Sequence, residues 1–175
     1  MLRKTRLAAL AALSALTLLT LSLTACGGGP DTYTLRSDLC EVLDYQAFSR
    51  WFGTMESWGR TVGNAKITCV QHGNGFSGTN LTTRVEAYKY ESPEEAKKIF
   101  DRLAKEKSDM DGKLKASVDD VRYYQGYAVA ILDADLFLTV GVDPQAADDS
   151  SFRDEMPRLT VEFADQVLER LHEKS

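Results

Sequence analysis

The chain has 175 residues, 43% of them hydrophobic and 27% charged, with a formal net charge of −5. That length and composition suit one globular domain. The acidic balance excludes nucleic acid as a partner, because phosphate contacts need clustered Lys and Arg.

The first 26 residues carry three features in order. Arg3, Lys4 and Arg6 form a positive start, Leu7 to Leu21 is apolar apart from Ser14, Thr17 and Thr20, and Leu23-Thr24-Ala25-Cys26 follows. This is the grammar of a secretory signal. The apolar run is short for a hydrocarbon span of ~30 Å. Leu at −3 and small residues at −2 and −1 resemble the bacterial lipobox, in which the Cys thiol receives a diacylglyceryl group before cleavage. The alternative is an uncleaved anchor with an incidental cysteine. The expected layout is a lipoprotein signal peptide over residues 1–25, a lipid anchor and flexible tether over 26–36, and one globular domain over 37–175. The chain is then expected on the extracytoplasmic face of a cell membrane, attached through lipid on Cys26. Two acyl chains at one residue suffice for stable anchoring. Without the three basic residues of the signal, 18 basic side chains face 26 acidic ones. Attachment should therefore rest on the lipid and not on a basic patch.

With Cys26 committed to lipid, Cys40 and Cys69 remain. An even pair in an oxidising compartment predicts a disulfide, with two free buried thiols as the alternative. Metal binding is not expected, since there is no C-x-x-C and only His72 and His172 are present to help.

Ser37 caps an expected helical stretch, Asp38–Phe52, read as one bent or two short helices that Asp44 restarts. Ala47, Phe48, Trp51 and Phe52 share a helical face. Met55 to Val62 carries no clear pattern. Ala65 to Gln71 reads as a strand, His72 to Asn80 as a Gly- and Asn-rich loop, and Leu81 to Tyr90 as a second strand. There Leu81, Thr83, Val85 and Ala87 face the core, and Thr82, Arg84, Glu86 and Tyr88 face water.

Ser92-Pro93-Glu94-Glu95 is the clearest helix start, with a capping residue, Pro at the first position and Glu three residues on. Its stripe is Ala96, Ile99, Phe100 and Leu103, with an end near Lys107 and a loop over Asp109–Gly112. Three strands follow: Val121–Gln125, Tyr127–Leu132 and Leu136–Val142. The last two are joined by a tight Asp133-Ala134-Asp135 turn and are apolar on both faces, as strands covered on both sides are. Asp143-Pro144 closes the sheet and Ala146–Ser151 is a loop. A helix near Asp154–Glu173 ends the chain, with Leu159, Phe163, Val167 and Leu171 at i+4 spacing and Pro157 placed in its first turn. The fold class is α+β: a mainly antiparallel, five- to six-stranded sheet with helices packed on it, in the order α-β-β-α-β-β-β-α.

The lipobox Leu23–Cys26, the Leu39-Cys40-Glu41-Val42-Leu43 helix, Cys69 on the next strand, the Ser92–Ala96 helix start, Tyr123-Tyr124 and the closing hairpin and helix together resemble an actinobacterial family. It is a family of cell-envelope lipoproteins of unknown function. A related group resembles the PsbP fold, a sheet sandwiched by helices. The resemblance implies that layout over Asp38 to Leu171 and no catalytic residues. The family's Cys-Arg-Trp-like signal is replaced here by Cys69-Val70-Gln71.

Catalytic motifs are missing. Gly75-Phe76-Ser77-Gly78 has the wrong spacing for a nucleophile elbow, and His72, which could serve as a base beside Ser77, reads better as a solvated or hairpin-related residue next to a Gly-rich loop. Asp133 and Asp135 suit turn chemistry better than acid–base or metal work. Asp143 to Asp149 lacks the spacing of a calcium loop, and Gly73-Asn74-Gly75 is no dinucleotide fingerprint. No catalytic residue, metal or cofactor is expected. Trp51, Phe52, Trp58, Tyr88 and Tyr90 add to an aromatic-rich chain, and Tyr123, Tyr124 and Tyr127 are the candidate partner-binding surface. The expected function is non-catalytic binding of an envelope protein, glycan or small ligand. The alternative is an envelope hydrolase with an unrecognised active site.

Overall fold

The computed structural model of the chain describes residues 33–74, 80–103, 113–124, 127–145 and 150–172. The expected signal with Cys26, residues 75–79 of the expected Gly- and Asn-rich loop, residues 104–112 with the expected helix end and loop, and residues 125–126 and 146–149 lie outside them.

The elements are α1 (Leu39–Val42), α2 (Gln46–Phe52), β1 (Met55–Val62), β2 (Lys66–Asn74), β3 (Asn80–Lys89), α3 (Pro93–Leu103), β4 (Asp120–Tyr124), β5 (Ala128–Asp133), β6 (Leu136–Gln145) and α4 (Ser150–His172). The described strands form one antiparallel sheet in the order β1-β2-β3-β6-β5-β4. The class is α+β, with one more strand, β1, and one more helix than the expected order.

The helical stretch after Ser37 is two short helices. Asp38, not Ser37, occupies the cap of α1, and its carboxylate is held by Arg36 at 2.7 and 2.8 Å instead of capping the helix. Asp44 restarts the chain by accepting from the Gln46 N–H at 2.8 Å. Gly53 ends α2 at φ +59°, where its N–H bonds the Ser49 carbonyl and a side chain would be strained.

Residues 72–74 and 80, expected in a loop, extend β2 and β3. Gly73 is there for packing: a Cβ would stand 2.5 Å from Met55 Sδ and 2.8 Å from Phe52 Cβ. β6 likewise runs through Pro144 to Gln145. Val142 donates its N–H towards β5, to Tyr127. Pro144, two residues on, would point a donor the same way, past the end of β5, so its missing N–H costs no ladder bond.

α1, α2 and α4 cover one face of the sheet. Leu39, Phe48 and Phe52 join Ile67, Val85, Ile131, Leu138, Val140, Leu159, Phe163 and Leu168 in the main core. α3 covers the far half of the other face, burying Ala96 and Phe100 on Ala130, Leu132 and Phe137. Leu103, expected on that stripe, is 57% exposed. The Ser92 hydroxyl accepts from the Glu95 N–H at 3.2 Å, as its sequence predicts. So β5 and β6 are covered on both sides, which is why they read as apolar throughout. α4 begins at Ser150, which puts Pro157 two turns in. The lost backbone bond falls back on exposed Arg153, while burial of Met156, Leu159 and Val161 holds the helix.

Cys40 on α1 and Cys69 on β2 are joined at a Cα separation of 5.4 Å. The link fastens the first helix to the sheet.

Candidate functional site

Among the buried polar groups of the described residues, two clusters stand out. One lies at the tip of the β5–β6 hairpin, where Ala134 adopts φ +47°. Tyr33 is fully buried there. Its hydroxyl donates to Asp133 Oδ2 and lies 2.5 Å from His172 Nε2. Because the hydroxyl hydrogen goes to Asp133, the ring nitrogen is the donor, which places the imidazole proton on Nε2. The two rings stack with centroids 4.7 Å apart.

The Tyr33 backbone is held as well. Its N–H donates to Asp135 Oδ1 at 2.9 Å, and Lys89 Nζ donates to its carbonyl at 2.6 Å. Asp119 accepts from the Ala134 N–H at 2.9 Å. Burial, then the Asp133 carboxylate, pushes the Tyr33 phenol far above its ordinary value. Burial also raises the Asp133 carboxyl, against the pull of the Tyr33 hydrogen bond. Asp133 and Asp135 are thus acceptors that seat an N-terminal tyrosine. With the Tyr33 hydroxyl enclosed, no solute reaches it, and the arrangement works as a clasp. Tyr33 falls within residues expected in the tether, and these hydrogen bonds hold it to the hairpin.

The second region is a cleft of about 480 Å³ between α1, the start of α2, and strands β1 and β2. It is lined by Cys40, Glu41, Leu43, Tyr45, Met55, Ser57, Arg60 and Gln71. Ser57, Gln71 and Thr83 lie opposite one another across β1, β2 and β3, so they form one polar row on the core face. Gln71 is only 7% exposed and Thr83 1%. The Tyr45 hydroxyl is buried beside the Gln71 amide, and burial pushes its phenol well above the ordinary value. Thr83 Oγ1 has no partner, and the Tyr45 hydroxyl has none beyond the Gln71 side chain. Buried polar atoms without partners are costly in a finished core.

A bulge in β1 shapes the cleft. Ser57 pairs with Gln71 but Gly59 pairs with Val70, so Trp58 is the extra residue. Without the bulge, Arg60 would point to the opposite face from Ser57. With it, Arg60 stands opposite Cys69 on the core face, over the cleft. There it pairs with Glu41 and donates to the Ser37 carbonyl at 2.9 Å. A second hollow of about 310 Å³ borders Pro93, Asp119 and Asp120. Two of its carboxylates are occupied, Asp119 by the Ala134 N–H and Asp120 by Arg122 and the Val121 N–H.

The candidate tyrosines separate. Tyr123 and Tyr124 are successive on β4 and face opposite sides. Tyr123 and Tyr127 pack on the core under α4, Tyr124 on the cluster under α3. All three are half-buried, with Tyr124 on the opposite face of the sheet from Tyr123 and Tyr127. His72 lies on β2, 3.2 Å from Thr82 Oγ1; Ser77 is outside the described residues. Among the described residues no group of three His, Cys, Asp or Glu is placed to hold a metal, and no helix is long and apolar enough to cross a membrane.

The sequence pointed to neither the cleft residues nor Tyr33. Ser57 and Gly59 break the alternation of β1, and the partners of Tyr33 lie 100, 102 and 139 positions away. No family model, curated protein or solved structure matches the chain.

Proposed function

We propose that the chain is a lipid-anchored, non-catalytic domain on the extracytoplasmic face of a cell membrane, where it binds a ligand in the cleft beside the Cys40–Cys69 pair. The observation that carries the binding half is the pair of polar side chains Ser57 and Gln71 in the cleft lining, with the buried Tyr45 hydroxyl beside Gln71. Natural cores leave few buried polar atoms unpaired, and a concave site with a few convergent polar groups is where ligands sit. The lipobox at Leu23–Cys26 and a cysteine pair at disulfide distance support the compartment. The clasp fits an anchored chain. Cys26 and Tyr33 are seven residues apart, so a tether between them reaches at most about 25 Å. A domain gripped that close to its anchor stays at the membrane surface.

The hydrolase alternative needs a reachable base. His172 is engaged by the enclosed Tyr33 hydroxyl, and His72 faces a threonine.

The test is made on the full chain in a bacterial host fed a clickable palmitate analogue. Label and membrane fractionation are expected for the native sequence, and both are lost in Cys26→Ser. A wild-type chain that stays unlabelled and soluble overturns the anchor. Turnover of an envelope substrate, with no ligand retained by the protein, overturns the non-catalytic reading.

A further inference from the structure

We infer that the cleft takes a small zwitterion with hydrogen-bonding groups between its two charges, the chemistry of a di- or tripeptide with free ends. This rests on the reading of the cleft as a binding site and names its ligand class.

The charges come first. The lining holds one cation, Arg60, and one anion, Glu41, and every other lining side chain is uncharged. The two are paired with each other at the rim, with side chains 40% and 60% exposed. Exposed pairs of this kind are weakly held, so they can exchange partners. A ligand carboxylate matches the planar guanidinium fork, and a ligand ammonium matches the carboxylate of Glu41. A ligand with both charges replaces the pair without leaving either side chain unmatched. A ligand with one charge leaves the other member of the pair without a partner.

The floor supplies the middle of the ligand. The Gln71 amide offers both a donor and an acceptor, the complement of a peptide amide. The Tyr45 hydroxyl beside it meets only the Gln71 side chain, which leaves it room for one more hydrogen bond. Leu43 and Met55 give the walls an apolar surface for a short side chain. The volume, about 480 Å³, falls in the range of small-ligand sites. The β1 bulge joins these parts, since it brings the Arg60 charge onto the same face as Ser57 and Gln71.

The experiment uses the ¹⁵N-labelled full chain in detergent micelles, titrated with alanyl-alanine and with its N-acetyl, C-amide and doubly capped forms. The free dipeptide is expected to shift the Ser57 and Gln71 amides saturably. Each single cap is expected to weaken binding by about tenfold or more. Arg60→Gln should abolish the penalty for amidation and keep that for acetylation; Glu41→Gln should do the reverse. The capped peptides make the test on the wild-type chain alone, whatever the variants do to folding. If the doubly capped form binds as well as the free one, the zwitterion assignment falls and the cleft remains a binding site. If the cap penalties persist unchanged in both folded variants, Arg60 and Glu41 are not the recognising groups. If none of the four forms shifts the cleft amides, the assignment falls and the binding reading loses its proposed ligand class.

Discussion

The clasp and the cleft are built from the same materials and differ in completion. Each buries a tyrosine whose phenol is pushed up by desolvation. In the clasp the Tyr33 hydroxyl, N–H and carbonyl all find partners, supplied by Asp133, Asp135, His172 and Lys89. At the cleft the Tyr45 hydroxyl has only the Gln71 side chain, and the Thr83 hydroxyl, opposite Gln71 on the next strand, has no partner. A saturated buried network rigidifies the fold, whereas an unsaturated one carries a desolvation cost that a bound molecule can relieve. The contrast separates polar groups that hold this protein together from polar groups that await something.

The largest effect is expected at the clasp. Tyr33→Ala removes a fully buried ring together with its hydrogen bonds, and should cost about 3–5 kcal/mol in chemical denaturation. It should also free the N-terminal segment, read as faster proteolysis after residue 33. A loss below about 1 kcal/mol would reduce the clasp to a surface contact.

Breaking the Cys40–Cys69 link comes next. The two cysteines are 29 residues apart, which on the chain-entropy model is worth about 3–4 kcal/mol. Replacing both with Ala should loosen α1 over β2. Amide exchange should then rise in residues 39–42 and in the cleft, and stay unchanged at the β5–β6 hairpin. Equal loosening at both ends would show the two regions to be one cooperative unit.

Gly73→Ala probes the cleft from below. The new methyl meets Met55 Sδ at 2.5 Å and Phe52 Cβ at 2.8 Å, and overpacking of this kind costs about 1–3 kcal/mol. Because Met55 lines the cleft, ligand binding should weaken in the same variant, measured by titration.

The smallest effect is in pH dependence. Burial holds the Asp133 carboxyl above its ordinary value, so the protonated form is favoured in the folded state relative to the unfolded chain. A raised group contributes stability that is complete below its unfolded value, near pH ~4, and is lost as the pH rises through the folded value. Asp133→Asn removes that titration. The stability of wild type relative to the variant should therefore decline from about pH 4 upward, followed by thermal unfolding in a pH series. A difference that is flat or grows with pH contradicts the assignment.

The sheet was largely legible because its signals are local. The alternation of Leu81 to Ala87, the Ser92 capping box and the two-sided apolar runs of β5 and β6 each depend on neighbouring residues. β1 was not legible, because the bulge at Trp58 shifts the alternation by one residue half-way along the strand. The end of β2 resembled a loop because Gly73 is a packing requirement set by Phe52 and Met55 on other elements. The clasp was hidden for a similar reason: Tyr33 and His172 are 139 positions apart, and the Asp133-Ala134-Asp135 turn gives no sign of what it receives. The Ser57–Gln71–Thr83 row is a polar interruption of core-facing positions, and its meaning emerges only from the register of three strands.

One substitution made in both regions tests the contrast most directly. Tyr→Phe removes only the hydroxyl and keeps each ring contact, His172 for Tyr33 and Phe163 for Tyr45. At Tyr33 it strands a buried acceptor on Asp133, and should destabilise by about 1–3 kcal/mol. At Tyr45 it removes a buried hydroxyl that meets only the Gln71 side chain, and stability should stay level or rise by up to about 1 kcal/mol. Both are read from urea denaturation of ligand-free protein. Opposite responses are predicted; a comparable loss at both positions would contradict the division into a closed clasp and an open cleft.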